Sequence, residues 1–170
     1  MQDFAELIER HQDMVFRTLA RMTGERDVED LAHEVFLRVF RALGTFRGEA
    51  RLTTFMYRVI VNVVNDEWRR RERARLSVPA EECSLRSREP EPDEFLDRQR
   101  MADAVEESMG RLSVPERAVL VLFYQEERAY EDIAAILDLP MGTVKTHLHR
   151  ARQRLKTAVQ EKMRLCRTAT

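Results

Sequence analysis

Apolar residues recur at steps of three and four along the first part of the chain, which predicts three amphipathic helices. The first begins at Phe4 and ends near Gly24. The second spans residues 28–43 and stops before Gly44, because glycine commonly terminates helices. The third begins at Leu52 and continues into an arginine-rich segment. Its apolar stripe consists of Leu52, Phe55, Met56, Val59, Ile60, Val63, Val64 and Trp68.

Residues 76–94 interrupt this pattern and predict a flexible linker, since they combine prolines with serine and acidic side chains and show no apolar period. Helical periodicity resumes over residues 95–112. Ser113 and Glu116 then have the spacing of a capping box, with Pro115 in the first helical turn. The helix that follows is apolar nearly all round, so we expect it to be the buried centre of the second half.

The last part of the chain predicts a helix-turn-helix. A short helix covers about residues 130–137, and the sequence "DLPMG" at residues 138–142 indicates a tight turn. In the next helix apolar residues fall at steps of four and three, which gives it one inner stripe. The stripe consists of Val144, Leu148, Ala151, Leu155 and Ala158. Two helices joined by such a turn, with the second basic outside and apolar inside, are typical of a helix-turn-helix.

These elements predict an all-α fold. No segment alternates apolar and polar residues for long, and five Gly and five Pro in 170 residues favour long helices over turns. We expect two small helical domains, residues 1–75 and 95–170, joined by the flexible, acidic linker at residues 76–94.

Charge is segregated along a chain whose net charge is only −1. Residues 141–170 carry eight basic side chains and one acid (8 − 1 = +7), whereas residues 101–140 carry three basic side chains and nine acids (3 − 9 = −6). The segment "RRRERAR" at residues 69–75 adds five arginines and one glutamate. Such asymmetry indicates contact with polyanions at some faces and with basic partners at others.

The outer face of the last helix has the chemistry of a DNA-reading helix. Lysine and arginine neutralise phosphates, and Thr146, His149 and Arg150 could reach base edges in the major groove. A basic face that is merely solvated is the alternative, and a charge run alone favours neither interpretation. The tight turn, the inner stripe and the near absence of acids favour DNA binding.

A second nucleic-acid signal lies in the first half. Phe46, Phe55, Tyr57, Asn62 and Asn65 stand in or beside the predicted loop that precedes the third helix, and the arginine run follows. Aromatic and amide groups next to arginine suit an unstacked base held beside a cationic track for the backbone. Phe55 also fits the apolar stripe, so a place in the core is an equally weighted interpretation of that residue.

The sequence shows no motif of a catalytic, metal-binding or cofactor-binding site and no membrane-spanning segment. Cys83 and Cys166 lack metal-ligand spacing and predict two free thiols in a reducing cytoplasm. No glycine-rich phosphate loop, Cys/His dyad or paired carboxylate indicates an enzyme, a metal site or a cofactor. No long apolar run or signal peptide appears, so we expect a cytoplasmic protein that does not insert into a membrane.

Three segments, "DVEDLAHEVFLRVFRAL", "FRGEARLTTFMYRVIVNVVNDEWRRRERAR" and "LPMGTVKTHLHRARQRL", resemble in this order the extracytoplasmic-function sigma factors of bacterial RNA polymerase, in the sigma-70 family. The resemblance implies region 2 in the first half and region 4 in the second. It implies core RNA polymerase (the β′ clamp helices and the β flap), promoter DNA and an anti-sigma factor as partners, with the chemistry of initiation left to the polymerase.

The resemblance also implies roles for individual residues. For contact with the β′ clamp helices it marks Asp30, His33 and Glu34. For capture of flipped bases of the −10 element and for the nearby phosphates it marks Phe46, Arg47, Thr54, Phe55, Tyr57, Arg58, Asn62, Arg69, Arg70, Arg71 and Arg73. For reading −35 bases it marks Thr146, His149 and Arg150, and for positioning the −35 backbone it marks Thr143, Lys145, His147 and Arg152. Phe55 stands where many relatives have tryptophan, which leaves one smaller aromatic wedge.

Two other protein classes remain open. A stand-alone DNA-binding repressor or activator could carry a similar recognition helix, although such regulators usually add an α/β domain, and the first half here shows no alternating strands. A helical adaptor that binds protein alone would leave the basic groove-facing residues without a purpose.

Overall fold

The computed structural model describes residues 4–43, 52–77 and 104–168, and every regular element in these ranges is helical. The N-terminal half contains α1 (Phe4–Thr23), α2 (Glu29–Leu43) and α3 (Leu52–Ser77). The C-terminal half contains α4, described over residues 104–110, then α5 (Val114–Leu120), α6 (Tyr130–Leu137) and α7 (Met141–Thr168). The predicted all-α fold is confirmed. Of the linker predicted at residues 76–94, the first two residues belong to α3, and residues 78–94 lie outside the described residues, as does the Phe46–Arg47 loop.

The N-terminal half is a three-helix bundle. Each helix contributes one apolar face, and the faces meet at fully buried residues such as Leu19 on α1, Val35 on α2 and Ile60 on α3. The predicted helix starts and stops agree with the observed ones within one or two residues, because the apolar stripes mark which faces must be covered.

The C-terminal half is centred on α5, as its apolar sequence predicts. Val119, Val121 and Leu122 are completely buried, and α5 packs along α7. At its N-terminus the Glu116 carboxylate accepts hydrogen bonds from the Ser113 backbone N–H (3.0 Å) and hydroxyl (2.8 Å), which confirms the capping box.

A π-helical turn, which the sequence pattern did not predict, extends α5 over Val121–Gln125. The Glu126 N–H donates to the carbonyl of Val121 at 3.0 Å, five residues earlier, instead of four. Glu127 follows with a positive φ of 50°. This wider turn brings the Glu126 side chain onto the N-terminal half, where it is buried.

We expect Glu127→Gly to raise the free energy of unfolding by about 0.5–1 kcal/mol, because the left-handed conformation is strained for a residue with a Cβ and glycine relieves this strain at some cost in chain entropy. Urea denaturation would measure the change. Asp138, which ends α6 at a φ of 53°, is the control. Aspartate tolerates this conformation better, so Asp138→Gly should gain less; an equal gain would contradict the explanation.

The two halves share one apolar core. The cluster of buried side chains runs without a break from Leu7 in α1 to Ala151 in α7, and α3 packs against α5 and α6. The described chain is therefore closed, with the C-terminal half lying on the N-terminal bundle. Among the described helices, none has both the length and the apolar character needed to cross a lipid bilayer.

Candidate nucleic-acid interface

The helix-turn-helix is formed by α6 and α7. The inner stripe of α7 is buried at Val144, Leu148 and Ala151, and Asp138 takes the left-handed conformation that ends α6. On the opposite face the side chains with predicted −35 roles are exposed at Lys145, Thr146, His149, Arg150 and Arg152, and half-buried at Thr143 and His147. The helical spacing of the apolar residues was therefore enough to predict which face of α7 is buried and which is exposed.

His149 and Arg150 are the most available of these side chains, since neither has a hydrogen bond or ion pair within the described ranges. The Thr146 hydroxyl donates back to the carbonyl of Gly142 at 2.8 Å, which leaves its oxygen free to accept. His147 is more enclosed, and its Nδ1 is buried without a partner among the described residues.

Aromatic rings hold two cations of α7 in place. The Arg152 guanidinium lies 5.1 Å from the ring centre of Tyr124 and 5.7 Å from that of Phe123. Lys145 lies 5.7 Å from the ring of Tyr130, which itself stacks on Phe123 at 5.1 Å. A cation–π contact restrains a side chain without a hydrogen bond to another protein group, so both cations keep N–H donors for a phosphate.

On α3 the residues with predicted −10 roles differ in exposure. Arg58, Asn62, Arg69, Arg70, Arg71 and Arg73 are exposed, Thr54 and Phe55 are half-buried, and Tyr57 is buried. Phe55 packs against the apolar cluster, so its core interpretation has structural support.

Two of the arginines are held by acids. Arg71 pairs with Glu67 at 2.7 Å and also with Glu25, and Arg70 pairs with Glu67 at 2.8 Å. The hydrogen bonds from Arg70 and Arg71 keep the pKa of the buried Glu67 carboxyl below its usual value. Arg71 thus ties α3 to the turn that follows α1, a structural role that the charge run did not indicate.

We expect Arg71→Ala to lower the free energy of unfolding by about 1 kcal/mol, because it removes a network of ion pairs, which is worth more than one exposed pair. Arg69→Ala, its matched control, should change stability by less than about 0.5 kcal/mol, since Arg69 is exposed and its guanidinium has no partner in the described part of the chain. Thermal and urea denaturation would compare them. Equal losses would rule out the structural role of Arg71.

The predicted polymerase-binding residues lie on the outward face of α2. Asp30 and His33 are exposed, and Glu34 is half-buried and pairs with Arg38 at 2.7 Å. Arg38 also pairs with Asp66 on α3 at 2.8 Å, which fixes α2 against α3. Asp30 and His33 therefore remain accessible to a partner.

Tyr57 and Arg58 are covered by the C-terminal half. Tyr57 is 1% exposed, and the Arg128 guanidinium lies 4.9 Å from the centre of its ring. The neighbouring Arg58 donates to the carbonyl of Ala135 on α6 at 2.5 Å. Tyr57 cannot meet a DNA base in this closed arrangement.

A buried carboxylate lies at the centre of this contact. Glu126 accepts hydrogen bonds from Tyr57 OH at 2.7 Å, from Arg17 at 3.3 and 3.4 Å, and from Arg21 at 3.3 Å. Burial opposes ionisation of Glu126, but the hydrogen bonds from Arg17 and Tyr57 and the charges of both arginines hold the pKa of its carboxyl below the usual range. The group is therefore a carboxylate at neutral pH.

Arg117 is a second buried link between the halves. It lies on α5, is 3% exposed, donates to the carbonyl of Met22 at 2.8 Å and stacks over Trp68 at 4.7 Å. Its Nε and Nη2 have no partner among the described residues, and burial lowers the pKa of this guanidinium. The sequence pattern does not mark Arg17, Arg21, Arg117 or Glu126, because no local signal distinguishes buried charges of this kind from ordinary surface charges.

Two family models match the chain. Residues 7–74 match the family model of sigma-70 region 2, and residues 102–155 match that of sigma-70 region 4.

Curated relatives are similar over nearly the whole chain. The ECF RNA polymerase sigma factor SigE of Mycolicibacterium smegmatis is 33% identical over 92% of this chain, which spans 61% of that protein. The RNA polymerase sigma-H factor of Pseudomonas aeruginosa is 29% identical, with 95% of this chain and 88% of that protein covered. The ECF RNA polymerase sigma-E factor of Escherichia coli is 28% identical, also with 95% and 88% covered.

Two solved structures share the fold. The sigma factor RpoE of Bartonella quintana, in complex with the anti-sigma factor NepR, aligns with a TM-score of 0.68 at 20% identity over 94% of this chain and 98% of that chain. CnrH, in complex with the cytosolic domain of CnrY, aligns with a TM-score of 0.64 at 26% identity over 93% and 88%.

Proposed function

The chain belongs to the extracytoplasmic-function sigma factors of the sigma-70 family, and we propose that it directs core RNA polymerase to promoters and starts transcription there. The observation that carries the proposal is α7, whose inner stripe is buried while its basic and polar face stands open to a DNA groove. The two family matches support the proposal, because the region 2 match at residues 7–74 precedes the region 4 match at residues 102–155.

The roles divide between the halves. Residues 1–75 dock on the polymerase through Asp30, His33 and Glu34 and hold unwound −10 bases along α3. Residues 95–170 read the −35 element in duplex DNA through α7, and the acidic linker at 76–94 spans the polymerase between them. The exposure of α7 and of Asn62 on α3 supports this division.

The protein is a non-catalytic factor of the cytoplasm, and the polymerase supplies the chemistry. One similar structure is a sigma factor bound to an anti-sigma factor, which supports control of this chain by a partner of that class.

Run-off transcription with purified bacterial core polymerase tests the proposal. Promoters selected from random DNA with the reconstituted holoenzyme should give transcripts of defined length, and core enzyme alone should not. Asn62→Ala should retain binding to −35 duplex yet reduce permanganate reactivity of the unwound −10 bases. A stand-alone repressor or a protein-binding adaptor would give no promoter-dependent transcript, and that result would overturn the proposal.

A further inference from the structure

Donors from two helices of the N-terminal half converge on one anion. Arg17 and Arg21 lie one turn apart on α1, and Tyr57 faces them from α3. All three donate to the carboxylate of Glu126, which comes from the other half and whose side chain is only 3% exposed. We call the three donors the Arg17–Arg21–Tyr57 cradle.

The cradle has the chemistry of a phosphate site. Guanidinium groups present planar N–H donors that fit phosphate oxygens as well as carboxylate oxygens, and a phenol adds a neutral donor. The Arg17 and Arg21 side chains remain 48% and 37% exposed with Glu126 in place, so an incoming strand can reach them from outside. Asp13 on α1 lies near enough to act on Arg17, but Glu126 is the carboxylate that the cradle binds directly.

The cradle overlaps the predicted −10 site at one residue, Tyr57. Tyr57 belongs to both, and Arg58, the next residue, is engaged by Ala135 of α6. When the C-terminal half withdraws, Glu126, Arg128 and α6 leave together, and the cradle is exposed to solvent.

We propose that the Arg17–Arg21–Tyr57 cradle binds a backbone phosphate of the unwound promoter strand, and that Glu126 occupies this site in the closed chain. Glu126 is thus an intrachain competitor of DNA, and the C-terminal half restrains the N-terminal half until the chain opens. The identity of the strand rests on the proposed function, whereas the competition for the anion site does not.

The closed contact is suited to being opened. Arg117 Nε and Nη2 and Arg128 Nε are buried there without a partner in the described residues. Each buried donor without a partner costs free energy that the open chain recovers by hydration. The ion pairs make the contact between the halves specific, and the buried donors without a partner reduce its stability.

The test measures closure and single-strand binding in the same molecules. Spin labels at Glu9→Cys on α1 and Glu131→Cys on α6, in a chain with Cys83→Ser and Cys166→Ser, report the separation of the halves by double electron–electron resonance. Fluorescence anisotropy with random-sequence single-stranded DNA of about 16 nucleotides reports binding. Glu126→Gln keeps the shape of the side chain and removes its charge, so it should lengthen the label distance. If about one tenth of the unmodified chain is open, it should also raise affinity up to about tenfold.

Removing the cradle should reverse this gain. In the Glu126→Gln chain, Arg17→Gln or Arg21→Gln should weaken binding and flatten the log–log salt dependence by about 0.7 each, the loss expected for one phosphate contact on a single strand. Arg10→Gln is the matched control, since Arg10 lies on α1, pairs with Glu6 and is outside the cradle. It should change the slope less.

These measurements test the competition by Glu126 and the phosphate site separately. An unchanged label distance in Glu126→Gln overturns the competition, and an opened chain whose binding ignores Arg17 and Arg21 overturns the phosphate site. In the chain with native Glu126, added single-stranded DNA should itself lengthen the distance, and a constant distance at saturation contradicts the proposal. These measurements need no polymerase, so they can succeed or fail whatever the run-off assay shows.

Discussion

Arg117→Ala is expected to lower the free energy of unfolding by about 2–4 kcal/mol, because it empties a filled part of the core and removes a buried hydrogen bond. The Arg117 side chain is almost completely buried between α5 and the N-terminal half. Without it, the carbonyl of Met22 loses its donor and Trp68 loses the guanidinium stacked on its face. Urea denaturation followed by Trp68 fluorescence would measure the loss and report on this contact.

Arg117→Met separates packing from charge. Methionine fills much of the same space, and it removes a buried cation that has two unpartnered nitrogens and a pKa lowered by burial. We expect this variant to lie within about 1 kcal/mol of the unmodified chain. If Arg117→Met is as unstable as Arg117→Ala, the hydrogen bond to Met22 and the cation–π contact dominate, and the packing explanation is wrong.

The helices and their buried faces could be predicted from sequence, because each is a local property. The stripes of α3 and α7 repeat within a few residues, and burial follows the stripe: Ile60 and Val144 are both fully buried. The start of α5 could also be predicted from sequence, since Ser113 and Glu116 are only three residues apart and interact directly. The exposed outer face of α7 follows from the same period once its inner side is known.

The closed contact could not be predicted in this way, because its partners are far apart in sequence. Tyr57 lies off the apolar stripe of α3, yet it is buried because Glu126 and Arg128, about 70 residues later, cover it. Local pattern assigns a lone glutamate or arginine to the surface. The burial of Glu126 depends on the π-helical turn and on two arginines of α1, neither of which has a local sequence signal.

Long-range contacts also decide which arginines of residues 69–71 are already paired. Composition marks Arg69, Arg70 and Arg71 as equal candidates for DNA phosphates. The fold brings Glu25 to Arg71 from 46 residues away, so Arg71 holds the bundle together while Arg69 remains available. Charge runs therefore predict a cationic surface but not which of its members are already neutralised.

Arg150→Ala is expected to weaken discrimination at one −35 position by about 1–3 kcal/mol, provided that the arginine makes a bidentate contact with a guanine. Arg150 is exposed on the outer face of α7 and has no partner in the part of the chain described here, so its guanidinium is available to a base edge. Holoenzyme reconstituted with the variant and challenged with a random promoter library would locate the affected position by sequencing.

Lys145→Ala should instead weaken binding to every sequence by a similar factor, because the role predicted for Lys145 is a phosphate contact, which carries no sequence information. Its log–log salt dependence should become flatter by about 0.9, the loss of one duplex phosphate contact. Lys156→Ala, which removes an exposed cation about three turns further along α7, is the matched control and should change the slope less.

If Arg150→Ala and Lys145→Ala shift the promoter library identically, the division of α7 into base-reading and phosphate-binding side chains is wrong, although a basic helix in the groove would remain. The contrast between the two variants therefore tests how α7 reads DNA separately from whether it binds DNA.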